Sequence, residues 1–226
     1  MSEQKYVQGI FKEELKNRFL CMVEVNGKDT LCYIPSSCRL SNFVDLIGKD
    51  VLLKSNVSDN TRTEYAVYAV RVRDQFVLLN MSQANRVIEN NIRNRRFSFL
   101  KKRKSIKKEF VIEDYKSDLY IEDSRTIVEI KSILSFDKNA TFPTVYSQRA
   151  IDQLAKLIKL LDKGYKVCYI FVSLNSGVKE VKINKEIDEY HNLFIDCLNK
   201  GMVLKGYVLK FKNSEAKIYS ELSVIV

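Results

Sequence analysis

The chain has almost no histidine: His191 is the only one among 226 residues. A multi-histidine metal site is therefore excluded, and histidine acid–base chemistry is left with one candidate that reads as a helix-surface or partly buried residue. Any hydrolysis must rely on carboxylates, lysine and a metal. The cysteines are as restrictive. Cys21, Cys32, Cys38, Cys168 and Cys197 make an odd count without a Cys-x-x-Cys pair, so neither a disulfide framework nor a zinc site is indicated. Cys21, Cys168 and Cys197 lie in apolar stretches and read as small core residues. No apolar run approaches the ~20 residues of a membrane span. The opening Met1-Ser2-Glu3-Gln4-Lys5 has no signal-peptide pattern, so a cytoplasmic protein is expected. There is no internal repeat and no low-complexity tract.

Positive charge is what the chain has in excess. Lys and Arg total 38 against 28 Asp and Glu, a formal net charge of +10. Such a surplus favours a polyanionic partner, most often nucleic acid; a lipid surface or plain solubility is the alternative. Hydrophobic residues make up 46% and charged residues 29%, which is a globular balance. The length suits one large domain or two small ones.

The N-terminal part reads as short strands with turns between them. Phe19 to Val25 is apolar-rich, Asn26-Gly27-Lys28-Asp29 signals a hairpin, and Thr30 to Ile34 returns until Pro35 ends it. Val51 to Lys54, Tyr65 to Val72 and Gln75 to Asn80 add three more strands, with a turn at Ser58-Asp59-Asn60-Thr61. Five short strands suggest a small barrel such as an OB-fold. An antiparallel sheet packed on a second domain is the competing picture. Residues 82–92 look helical, with Ser82 as the expected N-cap. Then comes the densest basic stretch: Arg93, Arg95, Arg96, Lys101, Lys102, Arg103, Lys104, Lys107 and Lys108, interrupted by Phe97, Phe99 and Leu100. A solvated linker has this composition, and so does a surface for phosphate contacts and base stacking.

The second half alternates. Glu109 to Ile112, Asp118 to Ile121 and Thr126 to Leu134 read as strands. Ser147 to Asp162 reads as a helix capped by Ser147, with Ile151, Leu154, Leu157, Ile158 and Leu161 on one face and Gly164 as the stop. Lys166 to Leu174 is a continuous apolar strand, as expected of a sheet buried on both faces. Asp188 to Lys200 is a second helix ending at Gly201. Met202 to Lys210 and Lys217 to Val226 close as strands. Strands joined by crossover helices indicate an α/β domain with a mixed sheet.

One constellation in this half carries chemistry. Asp118 heads a short apolar stretch, and about ten residues later comes Glu129-Ile130-Lys131 inside a β-branched run. Alternation puts Glu129 and Lys131 on one side of a strand, and pairing of the two strands lets Asp118 join them. Two carboxylates and an ammonium in one pocket suit metal-dependent phosphodiester cleavage: the carboxylates hold Mg²⁺ or Mn²⁺, and the lysine orients or activates water. An ordinary edge hairpin with solvent-facing charges gives the same string.

Several strings, in order along essentially the whole chain, resemble the sugar fermentation stimulation protein A (SfsA) family: Arg18-Phe19-Leu20, Pro35-Ser36-Ser37-Cys38-Arg39-Leu40, Ser58-Asp59-Asn60-Thr61-Arg62, Ala84-Asn85-Arg86, Glu129-Ile130-Lys131-Ser132, and Phe142-Pro143 with Ser147 and Arg149. The resemblance implies an α+β two-domain protein. Residues 1–82 would form an OB-like β-barrel that binds nucleic acid, and residues 83–226 a PD-(D/E)xK nuclease-like α/β domain with a mixed sheet. Mapped residue by residue, Asp118, Glu129 and Glu109 take the metal-binding acidic positions. Lys131 takes the catalytic lysine position and Arg149 the helix position facing the site. Arg149 reads equally well as a structural partner of Glu129 or Asp118. Glu109 sits closer to Asp118 than the family pattern has it, and Glu113, Asp114 and Glu122 are nearby substitutes. The implied function is a DNA-binding, nuclease-like hydrolase using Mg²⁺ or Mn²⁺, with DNA favoured over RNA. The alternative is a non-catalytic DNA-binding regulator of sugar metabolism with a vestigial site.

Overall fold

The computed structural model describes residues 6–36, 39–56, 62–212 and 215–226. Six strands form the N-terminal sheet: β1 (Tyr6–Glu14), β2 (Leu20–Val25), β3 (Lys28–Tyr33), β4 (Asp50–Ser55), β5 (Tyr65–Val72) and β6 (Gln75–Leu78). They lie in the order β3-β2-β1-β4-β5-β6, and β3 also pairs in parallel with β5 at Cys32–Tyr65 and Tyr33–Ala66. The sheet therefore curls until its first edge reaches β5. The hairpin turn between β2 and β3 is as expected, with Asn26 and Gly27 both at positive φ, 51° and 75°, the geometry a two-residue loop requires. β1 is the departure, since no strand is expected before Phe19. Only Phe11 is buried in it, and Gln8, Lys12 and Glu13 interrupt its apolar residues. Its Gly9 lies so close to β2 that a Cβ there would meet Val23 Cγ1 at 2.6 Å and the Glu24 carbonyl at 2.8 Å.

Helix α1 (Ser82–Asn91) joins this sheet to the rest. Ser82 is not its N-cap. Met81 holds that position, and Asn80 Oδ1 accepts from both the N–H and the hydroxyl of Ser82, at 3.1 and 2.6 Å. Asparagine forms such a turn with the backbone two residues on, which outcompetes the serine cap here.

The C-terminal part holds β7 (Ile106–Lys108), β8 (Val111–Ile112), β9 (Tyr115–Lys116), β10 (Leu119–Ile121), β11 (Thr126–Ile133), β12 (Asn139–Phe142), α2 (Gln148–Asp162), β13 (Lys166–Ser173), β14 (Glu180–Ile183), α3 (Asp188–Asn199), β15 (Val203–Lys212), β16 (Glu215–Glu221) and β17 (Ser223–Ile225). A mixed sheet runs β16-β15-β13-β11-β10-β7, with β11, β13 and β15 parallel and both flanks antiparallel. Every residue of β13 after Lys166 is buried, as its unbroken apolar run requires. Ser147 caps α2, its Oγ accepting the Ala150 N–H at 3.3 Å. The buried stripe of α2 is Ile151, Leu154, Leu157 and Leu160, whereas Ile158 and Leu161 are only partly covered. A separate parallel sheet, β12-β14-β17, departs from the sequence reading. The terminal run breaks at Leu222, whose N–H bonds the Gly206 carbonyl, and β17 leaves to pair with β14.

The two faces of the mixed sheet have different covers. Val128, Ile130, Ile170 and Tyr207 share one core with Val51, Leu53 and Leu78 of the N-terminal sheet. Ile127, Tyr169 and Phe171 pack under α2 and α3 with Leu154 and Phe194. Glu129 and Lys131, two and four residues beyond Ile127, therefore face the helices. The basic segment is seated on the first core. Its ring Phe97 is fully buried, 5.1 Å from Tyr207, and Lys205 sits 5.1 Å over the half-buried Phe99. These rings anchor the segment, so Phe97 is no stacking platform. Among the described residues, no helix is long and apolar enough to cross a membrane.

Candidate functional site

Antiparallel pairing of β10 with β11, Leu119 opposite Val128, carries Asp118 to the Glu129-Ile130 peptide. One Asp118 oxygen accepts the Ile130 N–H at 2.7 Å. The other accepts from the Asn85 amide of α1 at 2.9 Å. Glu129 is 3% exposed, and both its oxygens are engaged. Oε2 accepts from the Tyr115 hydroxyl at 2.5 Å. Oε1 accepts from the Lys131 ammonium at 2.7 Å and from the Gln153 amide at 3.5 Å. Gln153, on α2, also accepts from Lys131 at 2.8 Å. The ammonium lies 5.9 Å from the Tyr169 ring centroid. Two carboxylates, a lysine, a glutamine and a tyrosine thus meet between the end of β10, the middle of β11 and the inner face of α2.

The electrostatics follow from burial. Loss of water, and then the neighbouring Glu129 charge, push the Asp118 carboxyl up to about 6; the Ile130 N–H, Lys131 and Asn85 offset only part of this. Burial and the same Glu129 charge raise the Tyr115 phenol, which keeps it a proton donor. Between the ordinary aspartate range and pH ~6, the folded Asp118 carboxyl holds a proton that the unfolded chain releases. Stability from this group is therefore lost as pH rises through that window, and the cost is fully present above it. Asp118→Asn in chelator-treated buffer should gain stability over wild type at pH 8, on the order of 1–3 kcal/mol. The gain should shrink towards pH 4. Urea unfolding of both proteins at the two pH values checks this, and a difference that does not vary with pH would mean Asp118 titrates normally.

The other sequence candidates are placed differently. Glu109 is not brought to this cluster. Its N–H bonds the Asp118 carbonyl at 2.9 Å, but left-handed backbone (φ 46°) ends the β7 ladder there, and its exposed carboxylate bonds Lys116 at 2.5 Å. The substitutes are engaged elsewhere: Glu113 with Lys163 at 2.6 Å, Asp114 with Lys156 at 3.1 Å, Glu122 with Lys107 at 2.5 Å. Arg149 is exposed in the first turn of α2, one turn before Gln153, and among the described residues no ion pair joins it to Asp118 or Glu129. Asn85, Tyr115 and Gln153 are site residues that the sequence did not single out by chemistry, although Asn85 lies in the Ala84-Asn85-Arg86 string. No group of three His, Cys, Asp or Glu side chains converges among the described residues. His191 is half-buried on α3, and its Nε2 has no hydrogen-bond partner among the described residues. Cys21, Cys32, Cys168 and Cys197 are free and buried; Cys38 and the Ser58–Thr61 turn lie outside the described residues.

In the basic segment, Arg95, Arg96, Lys101, Lys102 and Lys104 are exposed. Arg93 is exposed too and donates to the Lys104 carbonyl at 3.2 Å. Arg103 is half-buried and folds back onto the Lys101 carbonyl. Lys107 and Lys108 are paired with Glu122 and Glu89. Free positive charge is therefore concentrated between Arg93 and Lys104.

Known proteins share this arrangement of domains. Residues 82–215 match the family described as the sugar fermentation stimulation protein RE domain, and residues 15–79 match the SfsA N-terminal OB domain. A sugar fermentation stimulation protein homolog of Pelagibacter ubique is 26% identical over 214 residues, covering 92% of each chain. One from Methanobrevibacter smithii is 24% identical, covering 89% of this chain and 90% of its own. The structure of Pyrococcus furiosus SfsA in complex with Ca²⁺ has the same fold, with a TM-score of 0.83 at 20% identity, covering 100% of this chain and 98% of that one. The chain belongs to the sugar fermentation stimulation protein (SfsA) family.

Proposed function

We propose that this is a nucleic-acid-binding protein whose C-terminal part, residues 83–226, is a PD-(D/E)xK nuclease-like domain that hydrolyses phosphodiester bonds with a divalent cation. Residues 1–82 and the basic segment would supply binding. The observation that carries the reading is the meeting of Asp118, Glu129 and Lys131 in one half-buried cluster. Burial first, and then repulsion from the neighbouring Glu129 carboxylate, raise the pKa of Asp118. Asp118 and Glu129 are hard oxygen donors, and each carboxylate keeps acceptor capacity beyond its present hydrogen bonds. That fits Mg²⁺ or Mn²⁺, which retain several waters and need only one or two carboxylates. The calcium-bound Pyrococcus relative supports a divalent-cation site of some kind. When bound, such a cation polarises a phosphoryl oxygen and makes water a better nucleophile near neutral pH.

The chain's own groups have separable roles in this reading. Lys131, held by Glu129 and Gln153, orients the attacking water and stabilises developing negative charge. Tyr115 fixes Glu129 from the opposite side. Arg149, exposed in the first turn of α2, would meet the phosphate. The second reading is a non-catalytic DNA-binding regulator. It draws on the tight Lys131–Glu129–Gln153 network, in which the ammonium is already neutralised. Incubation with end-labelled single- and double-stranded DNA and RNA, with and without Mg²⁺ or Mn²⁺, separates the two. The nuclease reading expects cation-dependent cleavage of DNA; intact substrates under every condition favour the regulator.

A further inference from the structure

We infer that Tyr146, with Val145 beside it, is a stacking post for an unpaired base next to the scissile phosphate, so that the site takes a strand that is single where it is cut. The inference rests on the nuclease reading above and names its substrate class. Tyr146 and Val145 are 59% and 52% exposed, and they stand together in the loop between β12 and α2. Two sets of contacts bring that loop to the cluster. On the sheet side, Lys131 lies beside Phe171 in the β11–β13 pairing. The Phe171 ring is 5.1 Å from that of Phe142, the last residue of β12. On the helix side, the Tyr146 hydroxyl donates to Gln148 Oε1 at 2.6 Å. The Gln148 amide in turn donates to Asp152 at 3.0 Å, and the next residue, Gln153, accepts from Lys131. From Gln148 to Gln153 the helix rises only about 7.5 Å, a span that a neighbouring nucleotide bridges.

The loop holds this pair out at fixed ends. At its start, the Asn184 backbone N–H and side-chain amide donate to the Phe142 and Pro143 carbonyls at 2.8 and 3.1 Å, and Pro143 is buried. At its end, Ser147 caps α2. Thr144, Val145 and Tyr146 between them are exposed. A ring already tied through its hydroxyl loses little freedom when a flat partner covers it. Chemistry selects that partner. Arg149 follows Tyr146 by three residues and is exposed in the first turn of α2, in the same i, i+4 row as Gln153. A cation for a phosphate and an aromatic face for a base therefore lie side by side at the site. Asp152, the carboxylate in this turn, already accepts from Gln148. A nucleotide strand offers that pairing of groups, phosphates linked to flat bases. A duplex keeps its base faces inside the stack, so only an unpaired strand presents one to Tyr146.

Cleavage with Mn²⁺ on three kinds of DNA tests this: a labelled single strand, the same strand in a blunt duplex, and copies of the strand with one abasic nucleotide moved along it. The proteins are wild type, Tyr146→Ala and Tyr146→Phe. Wild type should favour the single strand over the duplex by about tenfold or more in kcat/KM, and should cut about tenfold more slowly at the bond beside an abasic nucleotide. Tyr146→Ala should lose roughly tenfold on the single strand, mainly through a higher KM, because stacking holds ground state and transition state alike. It should no longer sense the abasic nucleotide, and any duplex cleavage should stay within about twofold of wild type. Tyr146→Phe keeps the ring and should stay within about twofold on every substrate. Equal cleavage of strand and duplex by wild type overturns the post, as does single-strand cleavage by Tyr146→Ala at the wild-type rate and KM. In both cases the post falls and the nuclease reading stands. If wild type cleaves none of the substrates, both fall.

Discussion

Lys131→Ala is expected to leave Mn²⁺ affinity unchanged or slightly higher while cleavage falls by about 10²-fold or more. A charged lysine cannot ligate a cation, so its loss removes no donor. It does remove the positive neighbour of Glu129 at 2.7 Å, which favours cation binding. What goes is the group that positions water and meets charge developing on the phosphate. The alanine also leaves the Gln153 carbonyl without this donor and Glu129 Oε1 with only the 3.5 Å bond from the Gln153 amide, so some thermal destabilisation should accompany it. Glu129→Ala should differ in kind, losing both cation and cleavage. Nucleic-acid binding, resting on other surfaces, should survive both changes. Single-turnover cleavage alongside Mn²⁺ titration separates these effects. If Lys131→Ala cleaves as well as wild type, the catalytic role given to Lys131 is wrong.

Replacing Lys101, Lys102 and Lys104 together by Ala should weaken duplex DNA binding most at low salt. It should also flatten the dependence of log affinity on log salt, by about 0.9 for each phosphate that is no longer neutralised. A drop of roughly 2 to 3 in slope is expected from three exposed ammonium groups. Arg103 is left out of that sum because its guanidinium turns back to the Lys101 carbonyl. The segment should keep its shape in the variant, since Phe97 and Leu100 anchor it from below. An unchanged slope would move the duplex surface elsewhere on the molecule.

Much of this site could be read from the sequence, because its central signal is local. Glu129-Ile130-Lys131 lies in a long β-branched strand, and alternation alone puts both charges on one side. The long periodic elements were equally legible: α2, α3 and the unbroken apolar β13. What could not be read depends on tertiary contact. Tyr115 belongs to a two-residue strand, Gln153 is one polar residue on an amphipathic helix, and Asn85 reaches Asp118 across 33 positions of chain. Nothing in their local pattern announces them. The resemblance gives Glu109 the upstream acidic position, but that residue's left-handed backbone ends the strand there and its carboxylate accepts from Lys116. Phe97 and the cations around it look like a stacking surface in sequence, and only the fold reveals that the ring faces Tyr207. A strand buried at a single residue, such as β1, or a short one peeled off a longer run, such as β17, falls below what periodicity resolves.

Calorimetric titration of Mn²⁺ into wild type, Asp118→Ala and Glu129→Ala tests the central claim most directly. The account predicts saturable binding to wild type at one site, with a large loss in each alanine variant while thermal melts show both still folded. Equal Mn²⁺ binding by all three proteins would contradict it, because the two carboxylates at the heart of the cluster would then not be the ligands.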